Sequence, residues 1–360
     1  MPGIPAWLRH AGPHGDGFTF PDLVFPSFLL MAGMSIPPAF RRRMDGSLRM
    51  LLPVIVRRTA GLRAAGVMMV NESRYAPGLA FLPRDVHYLL FYVAIILLWK
   101  TGPGLAWRAW AGAALMALLM LAFRGTPDGK FPSVWLGHAW WGILGLIGWS
   151  YACCSLMYLA ARGNGTALMG AFAFMIALYM GGEHGVLGFV PQWLGEPVGI
   201  GQLFGSISAN VLAGTLVGRL FADESASLTP WQRATAIGVF TAGLVLAGLL
   251  LRPCHPINKF QATETFTLVC AGIGLAGFLL FHVMADLLQR RSLVAFLVPA
   301  GGNALFAYIL PDLCNQAWTM LAWPYLAQGG AAGIVNAALV ALLMLWLTAC
   351  ASRFGLRLKF

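Results

Sequence analysis

The fold class this chain predicts is all-α, a polytopic bundle of transmembrane helices, and three observations carry the prediction. Of its 360 residues, 59% are hydrophobic and only 10% are charged, against about 45–50% and about 25% in soluble domains. The mean hydropathy is +0.73, and apolar runs near the ~20 residues of a bilayer crossing recur along most of the length. The 43 glycines and 21 prolines fit the same class, since membrane helices tolerate both and use glycine for close packing. The alternating segments of a transmembrane barrel are not evident.

Eleven spans can be drawn on apolar runs bounded by charged, Gly or Pro residues. They are Asp22–Phe40, Leu51–Val70, Val86–Trp99, Ala106–Phe123, Trp141–Ala160, Thr166–Gly181, Leu203–Leu220, Ala234–Leu251, Phe266–Leu288, Leu293–Leu310 and Ala331–Ala351, of which the third and sixth are short. With residues 1–21 outside, sixteen of the 24 basic residues fall on inner loops, among them Arg41, Arg42, Arg43 and Arg49. That bias predicts an extracytoplasmic N-terminal loop and a cytoplasmic C-terminus. Trp135, Trp140, Trp141 and Trp193 then form an outer aromatic belt. The net charge of +11 is thus a topology signal, and no nucleic-acid partner is expected; the partner is the lipid bilayer, and a homo-oligomer is compatible.

No soluble domain, linker or internal repeat is visible, so residues 1–360 read as one integral membrane domain. The polar N-terminus lacks the apolar core of a cleavable signal peptide. The six cysteines show no C-x-x-C spacing and read mainly as small buried hydrophobes, with no metal site.

One stretch stands apart, His10 to Ser35, where a Gly-rich loop with two histidines and two aspartates runs straight into the first span. Ionisable groups at the mouth of a span usually mark a substrate or ion route. Gly12, Gly15 and Gly17 permit a tight fold-back, which would let Asp22 meet His10 and fix its tautomer. Neutral imidazole then serves as base or nucleophile. The plainer accounts are a solvated His10 and an Asp22 that caps the helix. His10 and His14 are spaced H-x-x-x-H, but Pro13 and the glycines oppose the helix a metal pair needs. Arg63 lies inside the second span and needs a partner or a wet cavity. Glu72 and Asn71 end that span on the outer side. His282 and Asp286 share a face of the ninth span, as a local ion pair would. Asn303 suits an interhelical hydrogen bond.

H-A-G-P-H-G-D-G-F-T-F-P-D-L-V-F-P-S-F-L-L-M-A-G-M-S-I-P (10–37) resembles the signature of the heparan-alpha-glucosaminide N-acetyltransferase-like membrane proteins. It is closest to their bacterial branch, mostly described as a domain of unknown function. The likeness continues in R-R-T-A-G-L-R-A-A-G-V-M-M-V-N-E (57–72), H-A-W-W-G-I-L-G-L-I-G-W-S-Y (138–151) and P-A-G-G-N-A-L-F-A-Y-I-L-P-D-L (299–313). The resemblance implies a bacterial inner-membrane acyltransferase that takes acetyl from acetyl-CoA on the cytoplasmic face. The acceptor is an amino sugar or glycan on the far face. His10 matches the family's proposed catalytic histidine, Asp22 the aspartate of the D-x-V-F-P motif, and Asn303 the asparagine of the late G-x-N segment. Arg57, Arg58 and Arg63 then become candidates for the CoA donor, and Glu72 and Asn303 for the acceptor. The family's opening helix, with Leu-Asp-x-x-Arg-Gly, has no counterpart here, and a helix pair near 141–181 is added relative to the animal enzyme. A small-solute or glycolipid transporter or flippase, or an inactive truncated member, are the competing readings.

Overall fold

The computed structural model describes residues 5–44, 48–102, 106–127, 131, 133–138, 140–191, 195, 199–222, 228–320 and 330–358. Lys130, Trp193 and Lys359 lie outside the described residues. Within them the chain is all-α, without strands. Its helices are α1 (Val24–Met44), α2 (Leu48–Val70), α3 (Arg84–Trp99), α4 (Ala106–Ala122), α5 (Gly142–Ala160) and α6 (Gly165–Glu183). They continue as α7 (Ser208–Ala222), α8 (Pro230–Leu251), α9 (Glu264–His282), α10 (Val298–Gly302), α11 (Ala304–Met320) and α12 (Gly330–Arg353).

Seven of the helices, taken with their flanking turns, are long and apolar enough to cross a membrane, as expected of an integral membrane protein. Helix α2 falls short because it carries Arg49, Arg57, Arg58 and Arg63, and α3 and α4 because they have only 16 and 17 residues. The expected tenth span departs from a straight helix: the chain breaks at Asn303, and the segments on either side are bent by 84°. Local chemistry marks the starts. Thr229 and Gln232 form a capping box with Pro230 in the first turn of α8, and the side chains of Asn164 and Thr263 cap α6 and α9.

The chain forms two compact units, each assembled from separate stretches. One boundary passes through α2 at Arg63/Ala64, one falls at the first residue of α5, Gly142/Ile143, and one in the turn at Arg291/Ser292. They leave no linker in the sequence, which is why residues 1–360 read as one domain.

The larger unit comprises Pro5–Arg63 and Ile143–Arg291. Its tightest pair is α1 with α7, and glycines make it possible. A Cβ on Gly33 would collide with the Val211 carbonyl, one on Gly214 with the Leu30 carbonyl, and one on Gly218 with the Met34 carbonyl. Gly214 and Gly218 form a G-x-x-x-G pair, the small-residue spacing that lets membrane helices touch backbone to backbone. The Thr215 hydroxyl donates across this contact to the Gly33 carbonyl (3.2 Å) and, within α7, to that of Val211 (3.0 Å). Before α7 the chain makes a π-helical turn, Gly201–Ile207, kinked at Gly205. Hydroxyls of Ser206 and Ser208 take up carbonyls around it, those of Ala262 and Leu203.

The smaller unit comprises Ala64–Gly142 and Ser292–Phe360. In it α3 packs on α4 and α11. The loop after α4 is tied down by the buried Arg74, which donates to the Asn71 side chain (2.8 Å) and to the Ser133 carbonyl (2.9 Å). Asn71 in turn exchanges hydrogen bonds with the Gly137 backbone.

Candidate functional site

The site lies in the larger unit, where two loops meet at the end at which α1 and α9 begin and α8 stops. One loop is the Gly-rich stretch before α1. The other, Arg252–Thr263, joins α8 to α9. Asp16 accepts from the Ile257 N–H (2.9 Å) and from Arg252 Nε (3.0 Å). The Gly17 N–H donates to the Ile257 carbonyl (2.8 Å), and Gly17 sits at φ +151, where a side chain would be strained. The Asn258 amide donates to the Pro13 carbonyl (2.8 Å) while its oxygen accepts from the N–H groups of Phe260 and Gln261. Beneath the loops an apolar cluster of Ile257, Phe266, Val269 and Cys270 packs against Phe18 and Leu23. The Ile257 N–H, partly opposed by desolvation and aided by the Arg252 guanidinium, holds the Asp16 carboxyl below its ordinary pKa.

The fold-back expected of the glycines brings His10 to Asp22. Nδ1 of His10 lies 2.7 Å from Asp22 Oδ1. The Asp22 side chain is 0% exposed and that of His10 is 62% exposed. Lys259 adds what sequence reasoning missed: its Nζ is 2.7 Å from Asp22 Oδ1 and 3.1 Å from His10 Nδ1. The other carboxylate oxygen accepts from the N–H groups of Ala11 (3.0 Å) and Thr19 (3.1 Å). The Thr19 hydroxyl is shared between Asp22 and the Arg9 carbonyl.

Whatever the tautomer of His10, the buried carboxyl accepts from the Lys259 ammonium and from two backbone N–H groups, so Asp22 is ionised. Asp22 Oδ1 and Lys259 Nζ both approach Nδ1 of His10; the shorter contact, to Asp22, is satisfied by the Nδ1–H tautomer, which leaves Nε2 as the acceptor nitrogen of the ring. The Lys259 ammonium is the full counter-charge of Asp22, and it also lies 5.2 Å from the Phe260 ring centroid. The arrangement is a hydrogen-bonded Lys–Asp–His triad with the His10 side chain largely exposed. Asp22 also serves the helix start, since Thr19 and Asp22 bracket the turn Phe20–Leu23. The structural and chemical roles thus coincide in one side chain.

The remaining sequence candidates are placed elsewhere. Along α2, Arg57 is exposed, Arg58 donates to the Tyr151 hydroxyl (3.0 Å), and the Arg63 guanidinium stacks 4.0 Å from the Trp149 ring centroid. Helices α2, α5 and α7 also carry Thr59, Ser150, Ser155, Ser208 and Asn210, all buried. Glu72 belongs to the smaller unit, paired with Arg84 (3.0 Å) and with the Gln316 amide (2.6 Å). Asn303, in the same unit, spends its side chain on the chain's own C-terminal segment. Its amide donates to the Leu356 carbonyl (2.8 Å) and the Ser352 hydroxyl (3.2 Å), and its oxygen accepts from the Leu358 N–H (2.9 Å). His282 and Asp286 make the local pair their spacing suggests, at 2.8 Å. His14 is an exposed residue of the loop.

Lys259, Asn258 and His255 stand together in H-P-I-N-K (255–259), at the end of a span. The density of polar groups that singled out the first loop was therefore present here too, over fewer residues. No protein-family model matches the chain, and no curated protein matches it.

Proposed function

We propose that the protein is a membrane-bound acyltransferase that moves acetyl from cytoplasmic acetyl-CoA to an amino sugar or glycan on the extracytoplasmic side. The observation that carries this reading is His10: Nδ1 is held by a buried, ionised Asp22 while the His10 side chain stays largely exposed. Attack on a thioester needs a base or nucleophile of that kind. The Lys259 ammonium beside it supplies positive charge for the oxyanion that develops at the carbonyl. His10 acts either as general base toward the acceptor or as a transient acyl carrier.

The donor arrives on the cytoplasmic face, across a hydrocarbon core of about 30 Å. The buried polar side chains of α2, α5 and α7 favour a route for the acyl arm through the larger unit, with Arg57, Arg58 and Arg63 toward the CoA phosphates. The bend at Asn303 favours a second reading, a solute or glycolipid transporter or flippase, because broken helices often build transport sites. Against it, the Asn303 side chain is already engaged by the C-terminal segment.

Labelled acetyl-CoA supplied to membranes with glucosamine separates the two. Wild type transfers label to the sugar and His10→Ala does not. Undiminished transfer in His10→Ala removes His10 from the mechanism; no transfer by wild type to any acceptor favours transport.

A further inference from the structure

The smaller unit holds a cluster of polar groups that the proposed reaction leaves unused. Glu72, just past α2, accepts from Arg84 (3.0 Å) and from the Gln316 amide (2.6 Å). Gln316 is buried, and Asp312 stands one turn earlier on the same face of α11. Helix α11 packs on α3, which brings Tyr88 and Tyr92 within electrostatic reach of these acids. The Tyr88 hydroxyl is spent on the Met68 carbonyl (3.0 Å). The Tyr92 hydroxyl faces Asp312. Tyr92 is fully buried, and its hydroxyl closes no hydrogen bond of ordinary geometry.

Charge and donor atoms both suit a cation. Glu72 and Asp312 are near enough to feel each other's charge. Among the described residues Arg84 is the one permanent cation paired with either, and it sits on Glu72. Two carboxylates and one guanidinium leave a single negative charge uncompensated, on the half-buried Asp312. Such a charge is costly in the interior of an apolar bundle. A monovalent cation balances it, whereas a divalent one over-charges the cluster.

The groups that converge here offer oxygen, the donor that hard cations prefer. Asp312 and Glu72 supply carboxylates, and Tyr92 its hydroxyl oxygen. Gln316 keeps its amide oxygen after donating to Glu72. Pro311 lies inside α11 and has no N–H, so the Ala307 carbonyl one turn back loses its helical donor. Carbonyls freed in broken membrane helices are a recurrent source of sodium ligands, and α11 is the longer arm of the segment bent at Asn303. Side-chain exposures of 22% for Glu72 and 48% for Arg84 give the cluster an entry from the surface.

We propose that Asp312, Glu72, Gln316 and Tyr92 form a binding site for one monovalent alkali cation, with Asp312 as its charged anchor. The proposal concerns binding alone and holds under either function above. An ion held there bridges α3 and α11, so it stabilises the folded protein by mass action.

The test uses the purified full chain in detergent, melted at fixed pH and ionic strength in choline chloride, sodium chloride or potassium chloride. Wild type should melt higher in sodium or potassium than in choline, with a saturable dependence on the alkali salt that fits one site. Asp312→Asn and Tyr92→Phe should weaken the apparent affinity at least about 10-fold, while Asp286→Asn, an acid of the larger unit, keeps it. Equal melting of wild type in the three salts overturns the site. So does an unchanged response in Asp312→Asn or, should that variant not fold, in Tyr92→Phe. A wild-type midpoint that ignores the salts and follows pH through Asp312 assigns the balancing charge to a proton and overturns the alkali cation.

Discussion

Lys259 holds the candidate site together through charge. Asp22 is wholly buried, and among the described residues Lys259 is its one permanent counter-ion. Removing one partner of a buried pair strands the other, at a cost of about 3–5 kcal/mol. Lys259→Met should therefore lower stability by about 3 kcal/mol, near the low end because Lys259 is 24% exposed, and Lys259→Arg should lose less. Thermal melting in detergent reads the difference; an unchanged midpoint would mean that the backbone N–H groups alone sustain the charge. Asp16 gives a complementary expectation in pH. Its folded-state pKa is depressed, first by the Ile257 N–H. The clasp thus contributes in full above the ordinary aspartate pKa and is lost as pH falls through the lowered one. The labelling rate of a cysteine placed at Gly15, taken relative to a free thiol at the same pH, should stay constant from about pH 8 to about pH 5 and rise only in stronger acid. Asp16→Asn should raise the rate across the whole range.

Among the elements, α1 and α7 are the pair least tolerant of bulk. Gly214→Val drives a side chain into the Leu30 backbone, and overpacking of that kind costs about 1–3 kcal/mol. Gly243→Val in α8 is the control, since nothing lies within 4 Å of its added carbon. A melting point lowered in the first variant and not in the second would confirm the close contact; equal effects would refute it. Seven of the eleven expected spans were legible, because an apolar run long enough to cross a bilayer has few other fates, whereas α2, α3 and α4 are helices that fall short of a crossing among the described residues. The break at Asn303 was not, since Pro299, Gly301 and Gly302 are ordinary in membrane helices. At the bend the Asn303 side chain is held by Ser352, Leu356 and Leu358, partners remote in sequence. The π turn before α7 was hidden too: its Ser206 hydroxyl donates to the Ala262 carbonyl, a contact remote in sequence.

For the whole molecule, the sequence showed half of the site. The meeting of His10 and Asp22 could be read from three glycines between them, because both ends of that contact lie in one loop. Lys259 sits 237 positions from Asp22, and in a single sequence it was one more basic residue on an outer loop. The division into two units was equally silent, because one boundary passes through the continuous helix α2 and the others fall at a helix start and a short turn. The direction in which the chain sits in the bilayer is an expectation from Lys and Arg placement. It predicts that a cysteine at Gly15 reacts with an impermeant thiol reagent in intact cells, whereas reaction only after lysis would invert the topology.

The separation between Asp22 and Lys259 has a consequence for biogenesis. Asp22 enters the membrane early, and the ammonium that neutralises it is translated 237 residues later. At about 5–20 residues per second, that interval lasts roughly 10–50 s. Through it the first span carries an unmatched carboxylate at its mouth, shielded by lipid headgroups, water or the insertion machinery. The loop between α8 and α9 is therefore a latch that closes late in synthesis, and Asp22 meets its ammonium partner only then.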